Sequence, residues 1–373
     1  MSALPTLGAA RRLVIKIGSA LLVDPAKAAP RMAWLDGIAE DIAELRRGGT
    51  DVIVVSSGAI ALARRSLKLT QKKLRLEEKQ AAAAVGQIRL AQAWSEVLAR
   101  QGLTAAQLLL TLDDTEDRRR YLNARATLTT LTGLGCVPVI NENDSVATTE
   151  IRFGDNDRLA ARVAEMVQAD QLLLLSDIDG LYTGDPKRDA TARHIPVVEQ
   201  MTPEIEAMGG DPPPGYSSGG MRTKLVAARI ATSAGCAMAI ALGHVERPLR
   251  ALREGAPCTW FLANPEGRTA RKRWIGGSLQ PAGVLVVDEG AARALTRGKS
   301  LLPAGVKLVE GEFERGDPVE VRNEAGRVLA RGLSAYSSAD AGRIIGHQSS
   351  EFEALLGWRG RDEVIHRDDL VLL

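Results

Sequence analysis

Residues 136–157 read C-V-P-V-I-N-E-N-D-S-V-A-T-T-E-I-R-F-G-D-N-D. The run 136–140 is apolar and short, which predicts a buried strand. Polar groups replace it at once: Asn141, Glu142, Asn143 and Asp144. A strand that delivers such a loop is where α/β proteins keep their chemistry. Residues 147–153 alternate weakly and predict a hairpin strand. It would carry a second polar turn, Asp155, Asn156 and Asp157, back toward the first. An amphipathic helical pattern follows over 159–167. Buried carboxylates and amides each need a partner. The crowding therefore reads either as a site or as two solvated turns with an Asx helix cap.

Upstream, the same organisation repeats. Residues 13–17 predict a buried strand that ends in Lys16, Ile17, Gly18 and Ser19. Glycine there lets a ligand approach the backbone closely, and its N–H can meet a phosphate. The bland alternative is a surface lysine before a turn. Residues 33–47 predict a helix with Trp34, Ile38, Ile42 and Leu45 on one face, ended by Gly48 and Gly49. A strand over 51–55 leads into Ser56, Ser57 and Gly58, either an anion site at a helix N-terminus or an ordinary βα loop with a serine cap. Residues 74–100 carry a long alanine-rich helical pattern, expected to break near Gly86, with nothing in it that suggests chemistry. A strand over 104–110 and a helix over 121–131, ended by Gly133, complete this part.

Downstream, 171–175 is nearly pure leucine, hence a central strand covered on both faces. It ends in Ser176, Asp177, Ile178, Asp179, Gly180, Leu181 and Tyr182. Those groups suit a nucleotide's base or ribose, or equally a turn cap. Residues 212–220 form a long glycine- and proline-rich loop ending in Ser218, Gly219 and Gly220. It feeds Met221, Arg222, Thr223 and Lys224 and a helix over 225–234. A glycine pair before a helix with a lysine in its first turn is a phosphate-handling candidate, or else a mobile linker. A strand over 236–242 follows, and 259–262 predicts an edge strand.

Composition bounds the classes. The chain has 373 residues, long for one core, so two domains are expected. Net charge is +2, which gives no global electrostatic case for nucleic acid. Aromatics are 3%, so the core must be Leu, Val, Ile and Ala, which suits helices on a parallel sheet. Cys136, Cys236 and Cys258 are far apart and read as reduced thiols, and four scattered histidines give no zinc signature. No apolar run has signal-peptide or membrane-spanning character, so a cytoplasmic location is expected.

The stretch 264–273 is polar, basic and glycine-containing, and predicts the domain boundary: 1–265 and then 266–373. The second part predicts a helix over 291–297, a strand over 306–310, a hairpin over 318–336 turning at 323–326, and a closing strand over 370–373. Short strands with glycine turns suggest a small β-barrel-like module. Two decoys fall here. Gly298-Lys299-Ser300 resembles the end of a Walker A loop, but Arg293 occupies the position that needs glycine. The run Arg271-Lys272-Arg273 beside Trp274 reads as a solvated linker.

The chain has no Walker A loop, no Rossmann G-x-G-x-x-G, and no H-R-D or D-F-G of protein kinases. Its motifs N-E-N-D, F-G-D-N-D, S-D-x-x-G-L-Y and G-G-M-x-T-K, in that order, resemble the amino-acid kinase family. In that combination and order the chain resembles members that phosphorylate free glutamate at the start of proline synthesis. The segment G-K-S-L-L-P-A-G-V, 298–306, resembles the PUA domain that follows the kinase domain in many bacterial members. The resemblance covers nearly the whole chain. It implies an open, mainly parallel α/β sheet between helical layers, with ATP and substrate over the carboxyl ends of its strands. It implies that Lys16 and Lys224 bracket the transferred phosphoryl group while Asp157 holds both ammonium groups. Ser56, Asp144 and Asn156 match glutamate-binding positions, with Ser57, Gly58 and Asn141 beside them. Gly18, Ser176, Asp177 and the run Ser218, Gly219, Gly220, Met221, Arg222, Thr223 and Lys224 match ATP-binding positions. Ser218 stands where glycine or threonine is common, and Ser176 where threonine is frequent, which implies tuning of ATP binding. Also implied are Mg²⁺ with no protein ligand assigned, feedback inhibition by proline, and a homo-oligomer (dimer or tetramer). Hand-over of the acyl phosphate to a glutamate-5-phosphate reductase is implied as well. The alternatives are a family member acting on N-acetylglutamate, aspartate or a nucleoside monophosphate, or an RNA-binding role for the second part.

That chemistry agrees with what the sequence lacks. A side-chain carboxylate with a pKa of about 4.3 is already ionised at neutral pH, so no activated histidine is needed. The obstacle is repulsion between two anions, and lysines, backbone amides and Mg²⁺ are the appropriate tools. Asp144 suits the ammonium of free glutamate, a charge that N-acetylglutamate lacks.

Overall fold

The computed structural model describes residues 5–24, 26–69, 71, 74–146, 155–210, 220–267 and 280–373. It divides into two compact units, Met1–Gly267 and Arg268–Leu373.

Eight of the described strands build the main sheet of the first unit. They are β1 (Arg12–Ile17), β2 (Asp51–Ser56), β3 (Ala105–Leu110), β4 (Val137–Glu142), β5 (Gln171–Ser176), β6 (Val197–Val198), β7 (Ala237–Leu242) and β8 (Cys258–Phe261). Their order across the sheet is β6-β8-β7-β5-β1-β2-β4-β3. Pairing is parallel except between β7 and β8. Strand β1 is the pivot, with β2 on one side and β5 on the other. The chain thus reverses its direction of travel across the sheet at β1, the switch point beside which open α/β sheets leave a crevice. Register aligns the carboxyl ends, since Ile17 faces both Ser56 and Leu175.

Alternation along the strands explains the two helical layers. Leu13, Ile15, Val52, Val54 and Leu173 pack on one face, and Val14, Ile53, Val55, Leu172 and Leu174 on the other. The first face is covered by α1 (Met32–Arg47), α2 (Ala59–Ala63) and α3 (Leu76–Arg100). The second is covered by α4 (Arg118–Gly133), α5 (Asp155–Met166) and α6 (Met221–Ser233). A central strand buried on both sides must be apolar throughout, which is why 171–175 reads as continuous leucine.

Two expectations are corrected here. Helix α3 runs unbroken through Gly86. A Cβ at Gly86 would sit 1.7 Å from the Ala59 carbonyl oxygen, so this glycine permits close packing on α2 and does not end a helix. The stretch expected at the sheet edge, near Thr259, is β8 and lies between β6 and β7. The edge is supplied by two-residue β6, too short to be seen in the pattern. The hairpin strand expected over 147–153 lies outside the described residues.

The second unit carries β9 (Gly283–Val287), β10 (Val306–Gly311), β11 (Pro318–Asn323), β12 (Val328–Leu333) and β13 (Leu370–Leu372), in the order β10-β9-β11-β12-β13. The β11–β12 hairpin turns where expected, with the Gly326 N–H donating to the Asn323 carbonyl at 2.9 Å. Strand β9 is absent from the sequence reading, although it pairs with both β10 and β11. Gly298 follows helix α7 (Glu289–Thr296) with φ of +71°, a helix-ending conformation rather than a phosphate loop.

Gly86→Ala is expected to destabilise the first unit by about 1–3 kcal/mol or more, because backbone and not a flexible side chain blocks the methyl group. Chemical denaturation of the two proteins checks it, and equal midpoints would refute the packing role.

Candidate active site

Three charged side chains meet over the carboxyl ends of β1 and its neighbours. Lys16 is the penultimate residue of β1, Asp157 lies in the first turn of α5, and Lys224 in the first turn of α6. Helices α5 and α6 pack on each other, which brings the last two together. The Lys16 Nζ lies 2.5 Å from Asp157 Oδ1, a contact with the distance of an ion pair but not the alignment of a hydrogen bond. Lys224 Nζ donates to Asp157 Oδ2 at 3.1 Å. Thr223 Oγ1 lies 2.9 Å from that oxygen and 2.9 Å from the Gly220 carbonyl, and its one proton serves one of them at a time.

Electrostatics follow from burial. Asp157 is fully buried, and Lys16 and Lys224 nearly so. Burial alone would raise the Asp157 pKa; the charges of Lys16 and Lys224 outweigh it and hold the group at about 2. The carboxylate is therefore ionised at any physiological pH. Two ammonium groups against one carboxylate leave one surplus positive charge, in a place where water screens little. Such a place attracts an anion.

A second cluster adjoins the first through Asn156, the residue before Asp157. Its Nδ2 donates to Ser57 Oγ at 2.8 Å and lies 3.4 Å from Asn141 Oδ1. Asn141 Nδ2 in turn donates to Gln87 Oε1 at 2.8 Å. Ser56, the last residue of β2, accepts from Trp94 Nε1 at 3.0 Å. Asp144 is buried just past the end of β4. Gly58 has φ of +110°, where a side chain would be strained, and a Cβ there would meet Val23 at 3.0 Å. A Cβ at Gly18 would stand 3.8 Å from the Lys16 ammonium, in ordinary van der Waals contact.

The remaining sequence candidates divide. Ser176, buried at the end of β5, donates to Asp177 Oδ1 at 3.1 Å. Gly220 is the residue preceding α6 and Arg222 is exposed in its first turn. Met221 packs against the hydrophobic cluster under the sheet, so part of its side chain is core. Ser218 and Gly219 lie outside the described residues. The sequence reading missed Gln87 and Trp94, having taken α3 as packing alone. For Trp94 a signal existed: a tryptophan in an alanine-rich buried stretch needs a partner for its N–H. For Gln87 the sequence offers none. The cysteines are free thiols, Cys236 buried and the other two partly so. Among the described residues, no group of three or more acidic, His or Cys side chains gathers to hold a metal.

A family model described as the amino acid kinase family matches residues 11–241. The chain belongs to the amino acid kinase family. Membership makes it a phosphotransferase and implies ATP as donor. A second model, the PUA domain, matches residues 283–356. A protein of Gluconobacter oxydans named glutamate 5-kinase is 66% identical over 368 residues, covering 99% of this chain and 97% of its own. Its namesake from Paramagnetospirillum magneticum is 63% identical over 366 residues, covering 98% and 99%. Among solved structures, a carbamate kinase from Giardia lamblia bound to AMP-PNP covers 69% of this chain at 14% identity and a TM-score of 0.49. No described helix of this amino acid kinase is long and apolar enough to cross a membrane.

The Asp157 ion pairs predict a pH signature. A carboxylate whose folded pKa is depressed contributes stability above its unfolded pKa, about 3.8, and loses that contribution as pH falls through about 2. Asp157→Asn should cost about 3–5 kcal/mol at neutral pH, because it leaves two buried ammonium groups without their counter-charge. The gap from the parent protein should narrow only below about pH 4. Denaturation measured from pH 7 to pH 2.5 checks this, and a gap that closes near pH 6 would contradict it.

Proposed function

We propose that this protein phosphorylates the γ-carboxylate of L-glutamate with ATP, giving L-glutamate 5-phosphate and ADP, the first step of proline biosynthesis. The observation that carries the reading is the buried Lys16–Asp157–Lys224 group with its surplus positive charge. The name borne by the close, full-length relatives supports the same substrate. The catalytic domain is taken as 1–265 and the PUA domain as 266–373, in a cytoplasmic enzyme.

Each residue has a role in this proposal. The γ-carboxylate oxygen forms a bond to the γ-phosphorus as the bond from that phosphorus to the ADP oxygen breaks, and no proton moves. Lys16 and Lys224 neutralise the charge that spreads over the transferring phosphoryl oxygens, and Asp157 keeps both ammonium groups in place. Gly18, Ser57 and Gly58 let substrate and phosphate approach the backbone. Ser56, Asn141, Asp144 and Asn156 receive glutamate, with Asp144 pairing the α-ammonium. Ser176, Asp177 and the run Ser218, Gly219, Gly220, Met221, Arg222, Thr223 and Lys224 receive ATP. Mg²⁺ would be held by the nucleotide's phosphates and would supply charge neutralisation there. No protein ligand is assigned to it and no step depends on its placement. Inhibition by proline, self-association, and hand-over of the acyl phosphate to a glutamate-5-phosphate reductase belong to the same proposal. The first is read by adding proline to the assay below.

Glutamate-dependent hydroxamate formation with ATP, Mg²⁺ and hydroxylamine tests the reaction directly, and no product above the no-glutamate control would sink it. In that assay Lys16→Ala should lower turnover about a hundredfold or more while the protein remains folded, since Lys224 still faces Asp157. A folded, fully active variant would remove Lys16 from the mechanism.

Asp144→Asn should chiefly raise the KM for glutamate, by about tenfold or more, because an amide cannot replace a carboxylate opposite an ammonium. An unchanged KM would show that Asp144 does not read that charge.

A further inference from the structure

Helix α3 sends two polar side chains to the carboxyl edge of the sheet, and the sequence marks neither as functional. Gln87 and Trp94 are about two helical turns apart and so share a face. The preceding residue, Gly86, holds that face against α2, the helix that follows Ser56, Ser57 and Gly58. Trp94 and Ser56 are both fully buried.

The polarity of these bonds is fixed by chemistry. An indole N–H can only donate. The Ser56 oxygen is thereby committed as the acceptor from Trp94, and its hydroxyl proton must point elsewhere. Its hydroxyl meets the Ser57 carbonyl at 3.5 Å, at the limit of a hydrogen bond. The proton is therefore available to an incoming anion. Gln87 does the corresponding work on the amides. Its Oε1 takes the Asn141 Nδ2, which turns Asn141 Oδ1 toward Asn156. With its Nδ2 spent on Ser57 and Asn141, Asn156 keeps a buried carbonyl oxygen with no partner among the described residues. An orphaned buried acceptor is costly unless a ligand donor fills it.

We infer that Gln87 and Trp94 are positioning residues that set the hydrogen-bond polarity of the amino-acid pocket. Ser56 then offers a proton and Asn156 offers a carbonyl oxygen. An α-amino acid, which carries a carboxylate and an ammonium on one carbon, is complementary to that pairing. The inference rests on the glutamate reading above and deepens it. Without the Gln87 acceptor, Asn141 is free to reverse its amide. Two NH₂ groups would then face each other, and Asn156 would have to turn as well. Without the Trp94 donor, Ser56 is free to rotate its proton away.

The test is steady-state kinetics in the hydroxamate assay, varying glutamate and ATP separately. Gln87→Leu and Trp94→Phe should each raise the KM for glutamate about tenfold, the equivalent of one net hydrogen bond. The KM for ATP and kcat should stay within about twofold. Gln87→Glu keeps an acceptor and should stay within about threefold of the parent. In a Ser56→Ala background, Trp94→Phe should add less than about twofold, because its target is gone. Unchanged glutamate KM values, a uniform loss in kcat and both KM values, or additive effects with Ser56→Ala would overturn the inference. Should Trp94→Phe fail to fold, Gln87→Leu and Gln87→Glu decide it, since Gln87 is only half-buried. A parent protein that makes no glutamate-dependent product overturns the function instead, which keeps the two failures apart.

Discussion

One carboxylate buried between two ammonium groups is the constraint on which the rest of this molecule depends. Asp157 has essentially no contact with water, and neither lysine has much. Each charge alone would be costly in that place, and each is tolerable only because the others are there. The three come from β1, α5 and α6, widely separated in the chain. The group therefore forms only when the sheet and its second helical layer are assembled. The same interaction that ties α5 and α6 to β1 also leaves the surplus positive charge that a phosphoryl group needs.

The sheet explains why the group sits where it does. Parallel strands place all their carboxyl ends on one side, and helices return the chain to the other. At β1 the strand order reverses, so the helices after β1 and β5 diverge and leave a crevice. Lys16 stands at that crevice because it is one residue from the end of β1, in register with Val55 and Leu174. A shift of one residue would turn its side chain to the other face of the sheet. The apolar alternation that builds the two cores is thus also what aims the lysine.

Around this centre the polar rim is shared between layers. The carboxyl ends of β2 and β4 bring Ser56 and Asn141, the loops after them bring Ser57 and Asp144, and α5 brings Asn156. Helix α3 lies in the opposite layer from α5, yet both reach the same edge through Gln87 and Asn156. Close packing at Gly86 makes this possible, and it is why the glycine that looked like a helix break lies in an unbroken helix.

Much of this was legible in the amino-acid sequence. Leucine and valine runs of strand length, ended by small polar residues and glycine, follow from what a parallel sheet must bury and what a crevice must expose. The charged residues of the centre were legible through the family resemblance of their motifs; read alone, Lys16 fits a surface lysine before a turn equally well. Other features were decided by tertiary structure. Strand β8 became an inner strand because a two-residue strand, too short to leave a pattern, pairs outside it. Strand β9 escaped notice although Gly277 and Pro281 precede its apolar run, because its place is set by pairing with β10 and β11, which only the fold provides. Gln87 and Trp94 acquired their roles through contacts with residues 54 and 38 positions away in the chain. A hydrogen bond depends on direction as well as residue type, and no local pattern records which distant oxygen a side chain will meet. Residue order alone specifies which groups can carry charge and where glycine is available to the backbone. Only the folded chain decided which of those groups touch, because that is set by how the layers stack on β1.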